Sequence, residues 1–115
     1  MQPGKVNFKT PQGSTFTRTI VYKVDSSVVD LTGYTARMQV RKSVNDSGIL
    51  LSLTTSTGEI VITGGTGTIT LTVAASVMAA LAAGSWVYDL EITSGGGIVS
   101  RLIEGKFIVT PEVTR

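Results

Sequence analysis

Three stretches of this chain alternate apolar and polar residues with a period of two. That rhythm fits strands that bury one face and wet the other. In Tyr34–Arg41 the residues Tyr34, Ala36, Met38 and Val40 alternate with Thr35, Arg37, Gln39 and Arg41. In Thr68–Val73, Ile69, Leu71 and Val73 alternate with three threonines, and in Ser85–Thr93, Trp86, Tyr88, Leu90 and Ile92 alternate with Val87, Asp89, Glu91 and Thr93. A helical period of 3.6 cannot produce any of the three.

The remaining strands are read from their boundaries. Ser14–Val24 makes a long first strand that ends at the turn residues Asp25-Ser26-Ser27. Ile49–Thr54 and Glu59–Thr63 read as a hairpin around Ser56-Thr57-Gly58, and Gly64-Gly65-Thr66-Gly67 turns the chain into Thr68–Val73. Ser94-Gly95-Gly96-Gly97 joins the Trp86 strand to a last long strand, Ile98–Thr110, in which Gly105 predicts a bulge or bend. The pattern breaks at about 74–83, where alanines surround Val77, Met78 and Leu81 before Gly84, predicting one or two helical turns. Residues 1–12 carry Pro3, Gly4 and Pro11 with little periodicity and read as an extended N-terminal arm. The fold class expected is therefore all-β: an antiparallel immunoglobulin-like β-sandwich over 13–115, with a single short helical segment and that arm. At 115 residues the chain has room for one ordinary core.

Composition narrows the chemistry. The chain has no cysteine and, more usefully, no histidine. The usual base that activates a nucleophile, the commonest metal ligand and the neutral-pH proton shuttle are all missing. Ten Lys and Arg stand against eight Asp and Glu, a net charge of +2, and they are scattered rather than clustered. No run of them can track phosphates, so nucleic acid is not an expected partner. Met1–Thr10 lacks the apolar core of a secretory signal, and the longest apolar-leaning run, Val73–Ala83, is far short of the ~20 residues of a membrane span. A soluble chain with no membrane partner is expected.

Each candidate site has a plain reading beside it. The glycine clusters lack the Lys-Ser/Thr pair and following helix of a phosphate loop, and read as hairpin turns. Asp89 and Glu91 share the outward face of one strand, about 6.5–7 Å apart, a spacing that inverting glycosidases also use. No insertion here could build a sugar cleft, so a solvated face paired with Arg101 or Arg37 is expected instead. Asp25, Asp30 and Asn45-Asp46 are the oxygen donors for a metal, but no Asp-x-Asp-x-Asp-Gly loop is present and they read as turn residues. Trp86 and Tyr88 could stack a sugar ring, although their place in the alternation points inward. No catalytic residue, cofactor or metal is expected.

The order of the segments carries a resemblance. Asp30-Leu31-Thr32-Gly33-Tyr34 leads into the first alternating strand. Gly84-Ser85-Trp86-Val87-Tyr88-Asp89-Leu90 follows the helical segment. Gly105-Lys106-Phe107-Ile108-Val109 comes near the end. This succession, over most of residues 13–114, resembles small β-sandwich structural proteins of tailed bacteriophages. It is similar in particular to the N-terminal domain of the upper baseplate protein family and to related tail-fibre attachment domains. Those domains carry a D-L-T-G opening, a G-x-Y-x-Y-D-L strand, in which Trp86 here replaces the first aromatic, and a terminal G-x-F-x-V strand. The resemblance implies an immunoglobulin-like sandwich that docks fibres or receptor-binding proteins onto a virion, commonly as a symmetric homo-oligomer. It implies assembly in the host cytoplasm with other phage structural proteins as partners.

Three function readings follow: a non-enzymatic tail or baseplate adaptor or fibre-docking component, a capsid decoration protein, and a carbohydrate-binding module. Burial of Trp86 and Tyr88 would favour a scaffold over sugar binding. Within the arm, Val6 and Phe8 stand among polar residues, and they are the candidate interface residues for pairing with a neighbouring subunit's sheet edge.

Overall fold

The computed structural model describes residues 4–111. Its elements in chain order are β1 (Gly4–Lys5), β2 (Phe8–Pro11), β3 (Phe16–Val21), β4 (Lys23–Val24), β5 (Ser27–Val28), β6 (Thr35–Arg41), β7 (Leu51–Thr54) and β8 (Ile60–Thr63). After these come a single 3-10 turn at Gly64–Thr66, β9 (Thr68–Val73), α1 (Ala75–Ala79), β10 (Gly84–Thr93) and β11 (Val99–Thr110). The larger sheet has the order β1-β11-β10-β6-β7, with β2 also beside β11. The smaller sheet has the order β3-β9-β8, and β4-β5 is a separate ribbon. The fold is an all-β sandwich, as the alternations predict, and among the described residues it has one short α-helix and every pairing is antiparallel except those of β1 and β2 with β11.

The three period-2 segments bury the faces they should. Ala36, Met38 and Val40 of β6, Ile69, Leu71 and Val73 of β9, and Tyr88, Leu90 and Ile92 of β10 all point into the core. Facing sheets interdigitate there around Phe16 and Phe107, whose ring centroids lie 5.2 Å apart. Each fully buried Leu or Phe removes enough apolar surface to stabilise the fold by roughly 1.5–3 kcal/mol. Met78 and Leu81 anchor α1 and the turn after it, closing one end. Leu31 closes the other, its N–H donating to Gly64 O at 2.9 Å. Gly67 (φ +61°) sits in the left-handed region where the chain leaves the 3-10 turn, and a Cβ there would come within 2.5 Å of Val29 O.

Four expectations need correction. The long first strand expected over Ser14–Val24 is broken at Tyr22, with Phe16–Val21 in the smaller sheet and Lys23–Val24 in the separate ribbon. The segment read as an arm is part of the sandwich from Gly4 onward: β1 pairs with Ile103 and Glu104, and β2 with Phe107 to Thr110, both in parallel. Phe8 and Thr10 alternate with Lys9, and they point into the core. A four-residue strand between prolines and glycines is too short for its period to stand out, but enough to bury an aromatic. Residues 1–3 of the expected arm and 112–115 of the expected sandwich domain lie outside the described residues.

The predicted hairpin across Ser56-Thr57-Gly58 does not form. β7 pairs with β6 in the larger sheet and β8 with β9 in the smaller, so the connection steps from one sheet to the other. Alternation fixes which face of a strand is buried and says nothing about its neighbour. The step is held by Thr54, whose Oγ1 accepts from Thr57 N–H at 3.1 Å, and by Glu59, whose carboxylate accepts from the Thr57 hydroxyl and from Thr54 N–H.

The bulge falls at Leu102 rather than at Gly105. Leu90 pairs with Ile103 but Glu91 with Arg101, so Leu102 is the extra residue, and it and Ile103 are buried side by side. Gly105 serves another purpose. A Cβ there would overlap the carbonyl of Val6, so glycine is what lets the N-terminal segment lie against β11.

Candidate functional site

The N-terminal residues flagged for a partner interface are held within the chain itself. Val6 N–H donates to Glu104 O at 3.0 Å, and Val6 O accepts from the Tyr88 hydroxyl at 2.6 Å. Asn7 Oδ1 accepts from Lys106 N–H at 2.9 Å. Phe8 is 6% exposed, stacks on Tyr88 with centroids 4.9 Å apart and meets Phe16 edge-on at 5.6 Å. Phe8 is therefore packed in the core of the single chain, and the backbone of Val6 is already bonded, although its side chain remains on the surface.

Tyr88 is 4% exposed beneath Phe8, and burial holds its hydroxyl far above the usual tyrosine range. Trp86 is half-buried, its indole N–H donating to Ala82 O at 3.1 Å. The two rings do not form a platform.

Asp89 and Glu91 do lie on the outer face of the larger sheet, and the expected arginines meet them. Arg37 Nε lies 2.9 Å from Glu91 Oε1, and Arg101 Nε 3.3 Å from Asp89 Oδ2. Arg101 also reaches Glu104 at 3.3 Å, and Lys5 pairs with Glu104 as well. Partial burial, then the charge of Glu91, raise Asp89 above the usual aspartate range, while Arg101 opposes the rise. The Lys5 ammonium, bonded to Glu104, holds that carboxyl below its usual range. These groups line an open depression of about 850 Å³ with both signs of charge interleaved. Each carboxylate has a cation beside it, an arrangement that neutralises the surface rather than poising a base.

The oxygen donors considered for a metal serve turns. Asp30 Oδ1 accepts from Thr32 N–H at 2.9 Å and Thr32 Oγ1 at 2.6 Å, and these bonds lower its pKa. Asp46 Oδ1 accepts from Gly48 N–H at 2.8 Å. Asp25 and Ser26 take the left-handed conformation that a tight two-residue turn between β4 and β5 needs. Among the described residues no three acidic groups converge to hold an ion.

Among the described residues the larger sheet ends openly at β7, and the smaller sheet is open on both sides. Its outer face is an uncharged array in which Thr17 pairs with Thr72, Thr19 with Thr70, Val21 with Thr68, Val61 with Thr70, and Thr63 with Thr68. Its two edges differ. At β3, Arg18 turns inward between the sheets, lies over the Phe16 ring at 4.8 Å, and donates to Thr17 O (2.8 Å) and Lys9 O (2.9 Å). That edge is partly covered by its own arginine.

At β8 the residues Ile60-Val61-Ile62-Thr63 carry no charge, and among the described residues no strand lies beyond them. Sequence reasoning missed both features, having taken β8 as half of a hairpin. The signal for Arg18 was present, because Phe16, Arg18 and Ile20 form one face of an alternating strand.

No protein-family model matches the chain, and no curated protein sequence matches it.

Proposed function

We propose that this chain is a non-enzymatic structural component of a tailed-bacteriophage virion, a tail or baseplate adaptor or fibre-docking piece that works as a homo-oligomer. The observation that carries its mode of action is β8, an uncharged β-branched strand at an open sheet edge. Such an edge presents unpaired backbone donors and acceptors and is a template for strand addition. The virion setting rests on the resemblance. Its motif residues build parts of the sandwich frame: Leu31 plugs one end, Tyr88 holds the N-terminal segment, and Phe107 packs on Phe16. A capsid decoration protein would use the same edges. The sugar-binding reading loses support, since Tyr88 lies under Phe8.

Antibody labelling of purified particles of the phage that encodes the chain tests this reading under the electron microscope. Label at the tail or baseplate is the expected result. Label over the capsid shell would replace the tail assignment with decoration, and particles lacking the chain by mass spectrometry would overturn the virion reading.

A further inference from the structure

The bonding pattern of β8 carries the argument one step further. Thr72 N–H donates to Glu59 O at 2.8 Å, and in an antiparallel pair only alternate residues bond the same neighbour. Glu59, Val61 and Thr63 therefore bond β9 through Thr72, Thr70 and Thr68, and Ile60 and Ile62 turn their N–H and C=O groups outward. The open window is short. It ends on one side at Gly64, whose carbonyl is taken by Leu31, and on the other at the Thr57-Gly58 turn, where Gly58 has φ +90°.

We propose that a second copy of this chain fills this window, β8 pairing antiparallel with β8 of the other copy about a two-fold axis at Val61. The proposal rests on the oligomeric reading above and names its contact. In that register Ile60 of each copy opposes Ile62 of the other, so four backbone hydrogen bonds form and every outward group of the window is used. The two Val61 side chains, 55% exposed in the single chain, meet at the axis in a non-bonded pair with Cα atoms about 4.5 Å apart. The flanking charge, Glu59, falls opposite Thr63 of the other copy, so no like charges oppose one another. The two smaller sheets join into one of six strands, whose outer face of threonine and valine is flanked by Glu59 of each copy. A two-fold contact requires a surface that complements itself, and a three-residue window centred on a β-branched residue does so. The β3 edge is the less suitable one, because Arg18 already bonds Thr17 O there.

The natural chain has no cysteine, so Val61→Cys supplies a single thiol at the axis, within the Cα separation that a disulfide spans. Mild oxidation of this variant should give a disulfide-linked dimer, while Val99→Cys, equally exposed on the larger sheet, should stay uncrosslinked. Val61→Lys places two ammonium groups together at the axis and should raise the dimer dissociation constant by about tenfold or more. Its melting temperature at high dilution, unchanged from the wild type, verifies that the protomer still folds. A wild type that self-associates while Val61→Cys fails to cross-link and Val61→Lys associates as before would overturn the β8 contact and leave the oligomeric reading standing. A wild type that is monomeric at every concentration overturns both. A dimer that forms only when another virion protein is added, with that protein's strand on β8, also rejects the self-pairing.

Discussion

The Tyr88 hydroxyl donates to the carbonyl of Val6 at 2.6 Å, joining the middle of β10 to the chain between β1 and β2, 82 residues away. The bond does two things. It satisfies a phenol whose ring is buried, and it pins the crossover at which the N-terminal segment changes from one short parallel strand to the next.

Tyr88→Phe keeps the ring stacked on Phe8 and removes only this bond. The expected cost is about 1 kcal/mol, with the Val6 carbonyl left to find water. The loss should be local first. Amide exchange at Val6 and Gln12, whose N–H groups bond β11, should speed up relative to β6 and β9 before the urea midpoint has moved far. Uniform acceleration across both sheets would mean that the bond supports the whole core and not the N-terminal edge.

Gly105→Ala adds a methyl group where the Val6 carbonyl sits. Backbone cannot yield as a flexible side chain can, so the N-terminal segment must lift from β11, at a cost of about 1–3 kcal/mol. Limited trypsin digestion should then cut after Lys5 and Lys9 at a rate well above the wild type's. Unchanged protection of both sites would show that the segment can shift along β11 without detaching.

Asp89 gives a pH signature. Its carboxyl is raised above the ordinary range, first by burial and next by Glu91. The folded state therefore binds this proton more tightly than the unfolded chain does. This contribution is most favourable below about 3.9, the ordinary aspartate value, and is lost as pH rises through the folded pKa. Asp89→Asn is free of that loss. The urea midpoint of Asp89→Asn relative to the wild type should therefore fall as the pH is lowered from about 7 to about 3. The opposite trend would mean that attraction to Arg101 outweighs burial.

How much could be read in advance depends on what kind of information each residue carries. Met38, Leu71 and Leu90 were legible as core because a strand's period marks its buried face directly. The ion pairs of Asp89 and Glu91 with Arg101 and Arg37 were legible for the same reason, since all four sit at outward positions of strands that turned out to be neighbours. Pairing was not legible. Leu53 and Ile60 are both buried and six residues separate them in the chain, yet they belong to opposite sheets, because nothing in an alternation names a partner. Phe8 was misplaced because two prolines and two glycines nearby outweighed one short alternation. The edge at β8 could emerge only once its neighbours were known, which is why the candidate contact moved from Val6 and Phe8 to Ile60–Ile62.

The mass of the unmodified chain by light scattering, from low to high micromolar, tests the central claim most directly. Self-association through β8 predicts an even multiple of the 12.1 kDa protomer at the upper concentrations, falling towards one protomer on dilution. A mass of one protomer throughout the range, or a stable odd-numbered ring that Val61→Lys leaves intact, would contradict it.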